Sequence, residues 1–566
     1  MKKKIASLAL VLALCLTFFP VMASAEDTAN AWNGNVAAGF AGGTGTAEDP
    51  YQIATGSQLA YLASQVNSGT DYKGNYFILT ANIDLNNMEW TPIGNSFAGA
   101  FGPSFSNEKY LAFAGQFDGN GYTISNLVIG TAEKPTTADV FGLFGATDGT
   151  IQNLNLEDVS INGVAKNVSG RPVLVAGALV GSVGGAVKNC HVTNLSMSIN
   201  NTISNYPAAY WIGGFVGFLD GNIEECSASG RIEEKSGKGS IGGFIGELAE
   251  AATITYSSAN VALNVKSDSQ GGADVGGFIG KGNGKKNEET VVRNCYATGN
   301  VTGGSYAGGF AGGLWGLNIK NCYATGNVTQ GAAAMASFVG TDASDPHYYG
   351  SVKNCYATGK VEGTAPNVYA FAMQNGTKRS EITNCYFKDS NSSIKNTYET
   401  AKVKSLSDMQ TIGFVDTLNA GDADANGWIY NANQTPLCGA EPADYRAVDE
   451  ALNNIPKDLT LYTDESVAAL ETAKASVVRG KVIAKQGEVE AMATAITKAI
   501  SNLVYKPADY TAVDAAIAKV EELKKDDYKD FTAVEAAVNA VVRDKNITEQ
   551  KDVDAMAQAI NDAIAA

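Results

Sequence analysis

A ten-residue phrase recurs along the middle of this chain and fixes most of what the chain can become. It reads VRNCYATGNV at 292–301, IKNCYATGNV at 319–328, VKNCYATGKV at 352–361 and, shortened, ITNCYF at 382–387. Looser copies are VKNCHVTNL (187–195) and IEECSASGRI (223–232). Two earlier copies, ISNLVI (124–129) and IQNLNL (151–156), carry leucine where cysteine stands, and ITYSSANV (254–261) places Thr255 there. A second phrase precedes most copies: FGLFG (141–145), GALVG (177–181), GGFVG (213–217), GGFIG (242–246 and 276–280), GGFAG (308–312) and ASFVG (336–340). The closing glycines, from Gly145 to Gly340, lie 28 to 36 residues apart. A period of that size means a solenoid or a propeller.

Residue type decides between them. Each period holds short β-branched or aromatic runs broken by Gly and Asn, with no helical pattern, which describes one coil of a parallel β-helix. About nine coils are expected, right-handed by the chirality of parallel crossovers. Strand alternation points the cysteine inward, yet the apolar residue three positions earlier also needs to point inward. An asparagine corner between them reconciles the two, because Asn tolerates left-handed dihedrals. Asn126, Asn153, Asn189, Asn294, Asn321, Asn354 and Asn384 all hold that place. In the glycine phrase, the paired glycines allow a tight bend. The large residue after them (Leu143, Phe215, Phe244, Phe278, Phe310, Phe338) then fills the interior.

These phrases resemble the GLUG repeat, which is found in bacterial surface proteins and beside some immunoglobulin-cleaving metalloproteases. FAGQFDGNGYTISNLVI (113–129) is similar to the opening coil of such proteins. GTAEDPYQIATGSQLAYLASQVN (45–67) is similar to their N-terminal cap, in which Leu59, Leu62, Ala63 and Val66 form one face of a short helix. The segment from Ser405 to Trp428 resembles the closing turn, so the likeness covers roughly residues 40–440.

A different repeat follows. PADYRAVDEAL (442–452) returns as PADYTAVDAAI (507–517). Val489, Met492, Ile496 and Ile500 return as Val553, Met556, Ile560 and Ile564, spaced as one helical face. Three such segments per copy make a three-helix bundle, and the pair resembles FIVAR modules of bacterial surface proteins. The expected fold class is therefore mainly β: a right-handed parallel β-helix solenoid followed by two α-helical three-helix bundles. The expected organisation is a signal peptide at 1–25, a cap with the first strands at 26–112, the solenoid with its closing segment at 113–440, and helical modules at 441–506 and 507–566.

Residues 1–25 begin with Lys2, Lys3 and Lys4, run apolar from Ile5 to Phe19, and end in Ala23-Ser24-Ala25, the pattern of a secretory signal. Without it, 38 basic residues face 58 acidic ones, a net charge of −20. Nucleic acid and anionic lipid are thus poor partners, and no later run is long and apolar enough for membrane insertion. The cysteines Cys190, Cys226, Cys295, Cys322, Cys355 and Cys385 recur with the repeat rather than at metal-ligand spacing, and read as an inward column of reduced thiols. Only His191 and His347 exist, so no histidine-based zinc site can form and no cofactor is expected.

Parallel β-helices also host polysaccharide lyases and hydrolases, whose sites need convergent carboxylates. Here Asp118, Asp148 and Asp220 read as turn residues, and Glu224 and Glu225 share one coil without an acidic neighbour. The stronger feature is aromatic: the residue after the inward place is Tyr256, Tyr296, Tyr323, Tyr356 and Tyr386 in five successive coils. A flat tyrosine strip suits sugar rings or an extended chain, with Trp315 and Tyr348–Tyr349 as auxiliary contacts. The expected function is an exported or surface-displayed, non-catalytic adhesin-like protein for a glycan or host matrix protein. A ligand-free stalk and a glycan-cleaving enzyme are the alternatives.

Overall fold

Each coil of the solenoid is built from four strand positions, and the coil that starts at Asn222 shows them in order. Asn222–Glu224 lies in sheet I and Ser227–Glu234 in sheet II. Ser240–Gly242 lies in sheet III and Ile245–Leu248 in sheet IV, after which Thr253 re-enters sheet I. Successive coils stack in parallel register, pairing Ile223 with Ile254, Ile241 with Val275 and Ile245 with Ile279. Sheet I runs through eleven strands, from Tyr51–Ile53 to Glu381–Thr383, and sheet IV through eight. This computed structural model describes residues 31–566 apart from 95–109, 169–170, 204, 206–208, 269–271, 285–289, 343–349, 375–379, 392–393, 395–400, 421–426 and 528–529. The leader at 1–25, His347, Tyr348 and Tyr349 lie outside the described residues. The chain forms two compact units that divide after Glu441.

The corner between sheets I and II is the asparagine position. All seven asparagines named above have φ between +47° and +60°. Their side chains bond along the stack: Asn189 Nδ2 donates to Asn153 Oδ1 at 2.9 Å, and Asn384 Nδ2 to Asn354 Oδ1 at 2.8 Å. The first corners are closed by acids. Asn126 donates to Asp84 at 2.7 Å and Asn153 to Asp118 at 3.1 Å, so Asp118 does more than turn the chain. A short side chain that both donates and accepts satisfies a left-handed backbone and its neighbour at once.

One corner departs from the sequence expectation. Tyr256 has φ +49° and so occupies the asparagine position. Thr255 pairs with Arg293 in sheet I, and Ser257 fills the cysteine slot, its Oγ accepting from Cys226 N at 3.2 Å. The inward place assigned to Thr255 is thus two residues off, because the sequence there offers no Asn to mark the corner.

The bend between sheets III and IV explains the glycine phrase. A Cβ on Gly243 would stand 2.1 Å from the carbonyl oxygen of Gly277 one coil on, and one on Gly246 would stand 2.5 Å from Ile212 N. The coils approach backbone to backbone here, which favours the smallest side chains: glycine in most coils, Ala178 and Ser337 at the Gly243 place in two others. The next side chain enters the core: Phe215, Phe244, Phe278, Phe310 and Phe338 stack with centroids 4.7–5.0 Å apart. The ladder continues to Phe371, 4.8 Å from Phe338, in a coil whose glycines are gone.

Helix α1 (Gly56–Asn67) starts from an extended Thr55 whose side chain accepts from Gln58 N, and it buries Leu59, Leu62, Ala63 and Val66. After the last coil come α2 (Leu406–Met409) and α3 (Ile412–Asn419). The second unit holds α4 (Arg446–Asn453), α5 (Asp464–Ala475) and α6 (Gln486–Ser501), then α7 (Thr511–Glu521), α8 (Thr532–Asn539) and α9 (Gln550–Ala565). Each trio has its own core, around Val448, Leu470, Val489 and Ile496 in the first and Val513, Val553 and Ile560 in the second.

Candidate binding face

The tyrosine column forms, but it does not face solvent. Tyr296, Tyr323 and Tyr356 stack face to face with centroids 4.9 and 5.0 Å apart and planes within 4°. Tyr323, Tyr356 and Tyr386 are nevertheless buried, and Tyr296 is partly buried. The cover is the chain's own closing segment: Met409, Phe414, Val415, Leu418, Trp428, Cys438 and Ala440 pack on the rings as one cluster. The expectation of an open strip at Tyr323, Tyr356 and Tyr386 is therefore corrected. The rings are apolar enough to bury and flat enough to dock an adjacent segment, which they do. Tyr256, at its corner, stands outside the column, where Ser258 pairs with Tyr296 instead.

The cover is fixed by polar contacts as well. Tyr356 donates its hydroxyl to Pro436 O at 2.7 Å, and Tyr323 donates to Glu441 Oε1 at 3.0 Å. Glu441 also accepts from the backbone of Cys438 and Gly439. Burial raises its carboxyl above the usual range, although these donors oppose the shift. Corner residues reach the same segment, Asn294 donating to Cys438 O at 2.8 Å and Asn384 to Thr417 O at 3.0 Å. Lys404 Nζ lies 5.5 Å from the rings of both Tyr386 and Phe414.

Trp315, the remaining aromatic candidate, lies on the other side of the coil, at the end of sheet IV. Lys281 Nζ sits 4.9 Å from its ring, and Asn283 pairs with it across the sheet. Glu247 accepts from Asn283 Nδ2 at 2.8 Å and from Ser240 Oγ at 2.9 Å. Nearby Asp274 has its carboxyl raised to about 7, chiefly by desolvation; Lys281 opposes the shift and Glu247 adds to it. Sequence reasoning missed this group because its members come from three successive coils and from two sheets on either side of the glycine bend.

The six column cysteines and Cys438 are buried and unbonded to one another. Burial pushes the thiols of Cys226, Cys322 and Cys385 well above the ordinary range. His191 is not free at the surface: Nδ1 lies 2.9 Å from Ser227 Oγ and Nε2 3.3 Å from Asn189 Oδ1. Among the described residues, no three His, Cys, Asp or Glu side chains converge as a metal site, and no helix is long and apolar enough to cross a membrane.

Residues 209–233 and 303–329 match the GLUG motif. The chain is 34% identical over 156 residues to a protein of Evansella cellulosilytica named as a Gly-rich membrane protein, covering 27% of this chain and 15% of that one. It is 36% identical over 121 residues to Halomucin of Haloquadratum walsbyi, covering 21% of this chain and 1% of that one. The chain therefore spans only a small part of either relative. Among solved structures, an IgA1 protease superposes with a TM-score of 0.36 at 17% identity, covering 70% of this chain and 26% of that one. A likeness that loose carries no argument.

Proposed function

We propose that this chain works outside the cell as a surface-displayed, non-catalytic binding protein of adhesin type, for a carbohydrate or an extracellular-matrix ligand. The carrying observation is the continuity of the ladders. Left-handed corners run from Asn126 to Asn384, with Glu225 and Tyr256 standing in for asparagine in two coils, and phenylalanines stack from Phe215 to Phe371, which makes a stiff, acidic platform. The GLUG repeats, and relatives named as a Gly-rich membrane protein and as Halomucin, support display at a surface. On this reading residues 1–25 direct export, and the two helical repeats serve as FIVAR-like spacer modules.

The cover over Tyr323 and Tyr356 favours a second reading, a stalk without a ligand of its own, because it removes the flat aromatic surface a binder would offer. Applying purified 26–566 to a mixed array of glycans and matrix proteins, with a parallel assay for released reducing ends, separates the readings. A bound spot without sugar release is expected. A silent array points to the stalk, and released ends would overturn the non-catalytic assignment.

A further inference from the structure

The flank of the early coils holds a cleft of about 330 Å³, at the small end of the ~300–1,000 Å³ common for small-molecule sites. Its floor is apolar and fully buried: Trp90, Ile129, Val140 and Phe141 are each at most 2% exposed. The indole N–H of Trp90 is committed to Leu143 O at 3.0 Å. The walls bring together Glu89, Asp139 and Lys166. Glu89 Oε1 already accepts from Gly130 N at 2.8 Å. Asp139 is only 5% exposed, and its Oδ1 receives no directed hydrogen bond even though Lys166 Nζ lies 3.0 Å away. Paired with an ammonium but without a directed hydrogen bond, that oxygen keeps a lone pair open to a further donor.

We propose that this cleft binds a single pyranose unit of a glycan through two adjacent ring hydroxyls. One hydroxyl donates to Asp139 Oδ1, and its neighbour accepts from Lys166 Nζ. The 3.0 Å between these two atoms places an acceptor beside a donor, which is what a vicinal diol presents. The charges of Asp139 and Lys166 cancel, so the pair suits a neutral ligand better than a cation or an anion. The half-buried Ala138, resting on that apolar floor, receives the C–H face of the ring. This inference rests on the carbohydrate-binding reading above and places its site away from the tyrosine column.

The test is titration of purified 26–566 with methyl pyranosides, followed by saturation-transfer NMR, beside deoxy analogues lacking one of the paired hydroxyls. A pyranoside is expected to bind with a Kd on the order of 1 mM. Binding should weaken at least tenfold in Asp139→Asn and in the matching deoxy sugar. Because a single change strands a buried partner, an Asp139→Asn/Lys166→Met double variant, with no charge left unpaired, is measured as well, its fold checked by circular dichroism. Absence of transfer from every pyranoside at about 10 mM, or unchanged binding in a folded double variant, overturns the cleft. Array binding that persists in the double variant overturns the cleft while leaving the binding reading standing, whereas silence in both assays overturns both.

Discussion

Tyr323 and Tyr356 stand one coil apart with ring centroids 5.0 Å apart and planes within 1°, and Trp428 closes over both, at 6.3 and 5.2 Å. The column is thus a seam between the solenoid and the segment that follows it, where one residue from 428 reaches rungs that the sequence places far apart.

Removing that residue should loosen the cover before the coils. Trp428→Ala opens a cavity over the tyrosines, and such truncations cost about 3–5 kcal/mol. Trp428→Phe should cost much less, because the indole N–H has no hydrogen-bond partner to lose. Hydrogen exchange over 405–441 reads the difference: faster exchange confined to that stretch in the alanine variant is expected. Uniform acceleration through the coils would contradict a separable cover.

The corner ladder separates backbone strain from side-chain bonding. Asn354 has φ +52°, is buried, and links Asn321 to Asn384. Asn354→Ala loses both the bonds and the tolerance for a left-handed backbone, whereas Asn354→Gly loses only the bonds. The alanine variant should be less stable than the glycine variant by ~1–2 kcal/mol, the cost of a left-handed non-glycine residue. Equal thermal midpoints for the two would show that the corner relaxes without strain.

The repeat made the coil legible because each ladder is a local rule applied many times: Asn at the corner, Cys or Leu inward, Phe after the glycines. Where a rule is met by another residue, legibility fails by two positions, as at Tyr256, or altogether, as at Phe371, whose coil lacks the glycines. The burial of the tyrosines was not legible for a different reason. Outward residues on a strand look alike whether they meet water or a distant segment, and the cover comes from residues 409–440, outside the repeat. The Asp274 group and the Asp139–Lys166 cleft are likewise products of register between coils, which no single period displays.

Asp274 makes a pH prediction with a definite sign. Its carboxyl is raised from 3.8 to about 7 by burial, against Lys281 and with Glu247. The folded state therefore holds a proton that the unfolded chain releases, so this contribution is fully present below about pH 4 and is lost as pH rises through about 7. Glu441 and Glu234, both raised by burial, act in the same direction. Asp274→Asn should flatten the decline in thermal midpoint between pH 5 and 8 and raise the midpoint at pH 8. A steeper decline in the variant would mean that Lys281 dominates the site.

The thiol column should be chemically silent. All seven described cysteines are buried, and burial pushes the thiols of Cys226, Cys322, Cys385 and Cys438 upward. Cys355, against the upward push of burial, is lowered to about 5 by hydrogen bonds from Cys322 and Cys385, but it is equally closed to a soluble reagent. No thiol in native 26–566 is expected to react with a soluble alkylating reagent, and all seven should react after unfolding. Cys322→Ser should be tolerated within about 1 kcal/mol, because Ser257 already occupies the same slot, donating to Thr255 O at 2.9 Å. Rapid labelling of one thiol in the folded chain would instead mark a coil that opens.

The helical repeats offer an internal control, since each carries the same device. Tyr445 donates to Val478 O at 2.8 Å, accepts from Lys481 N at 3.0 Å, and lies under Arg479, which pairs with Asp449. Tyr510 donates to Val542 O at 2.7 Å, accepts from Lys545 N at 3.2 Å, and lies under Arg543, which pairs with Asp514. The hydroxyl ties the first helix of each bundle to the loop before the third, whereas the ion pairs are exposed and worth little. Tyr445→Phe and Tyr510→Phe should each cost ~1–2 kcal/mol through the orphaned carbonyl and amide, and Asp449→Ala and Asp514→Ala less than ~1 kcal/mol. Chemical denaturation of the full chain, followed by hydrogen exchange in 442–566, reads these losses separately for the two copies. Matching losses are expected, and a loss confined to one copy would show that the two bundles, despite the shared contacts, are held together differently.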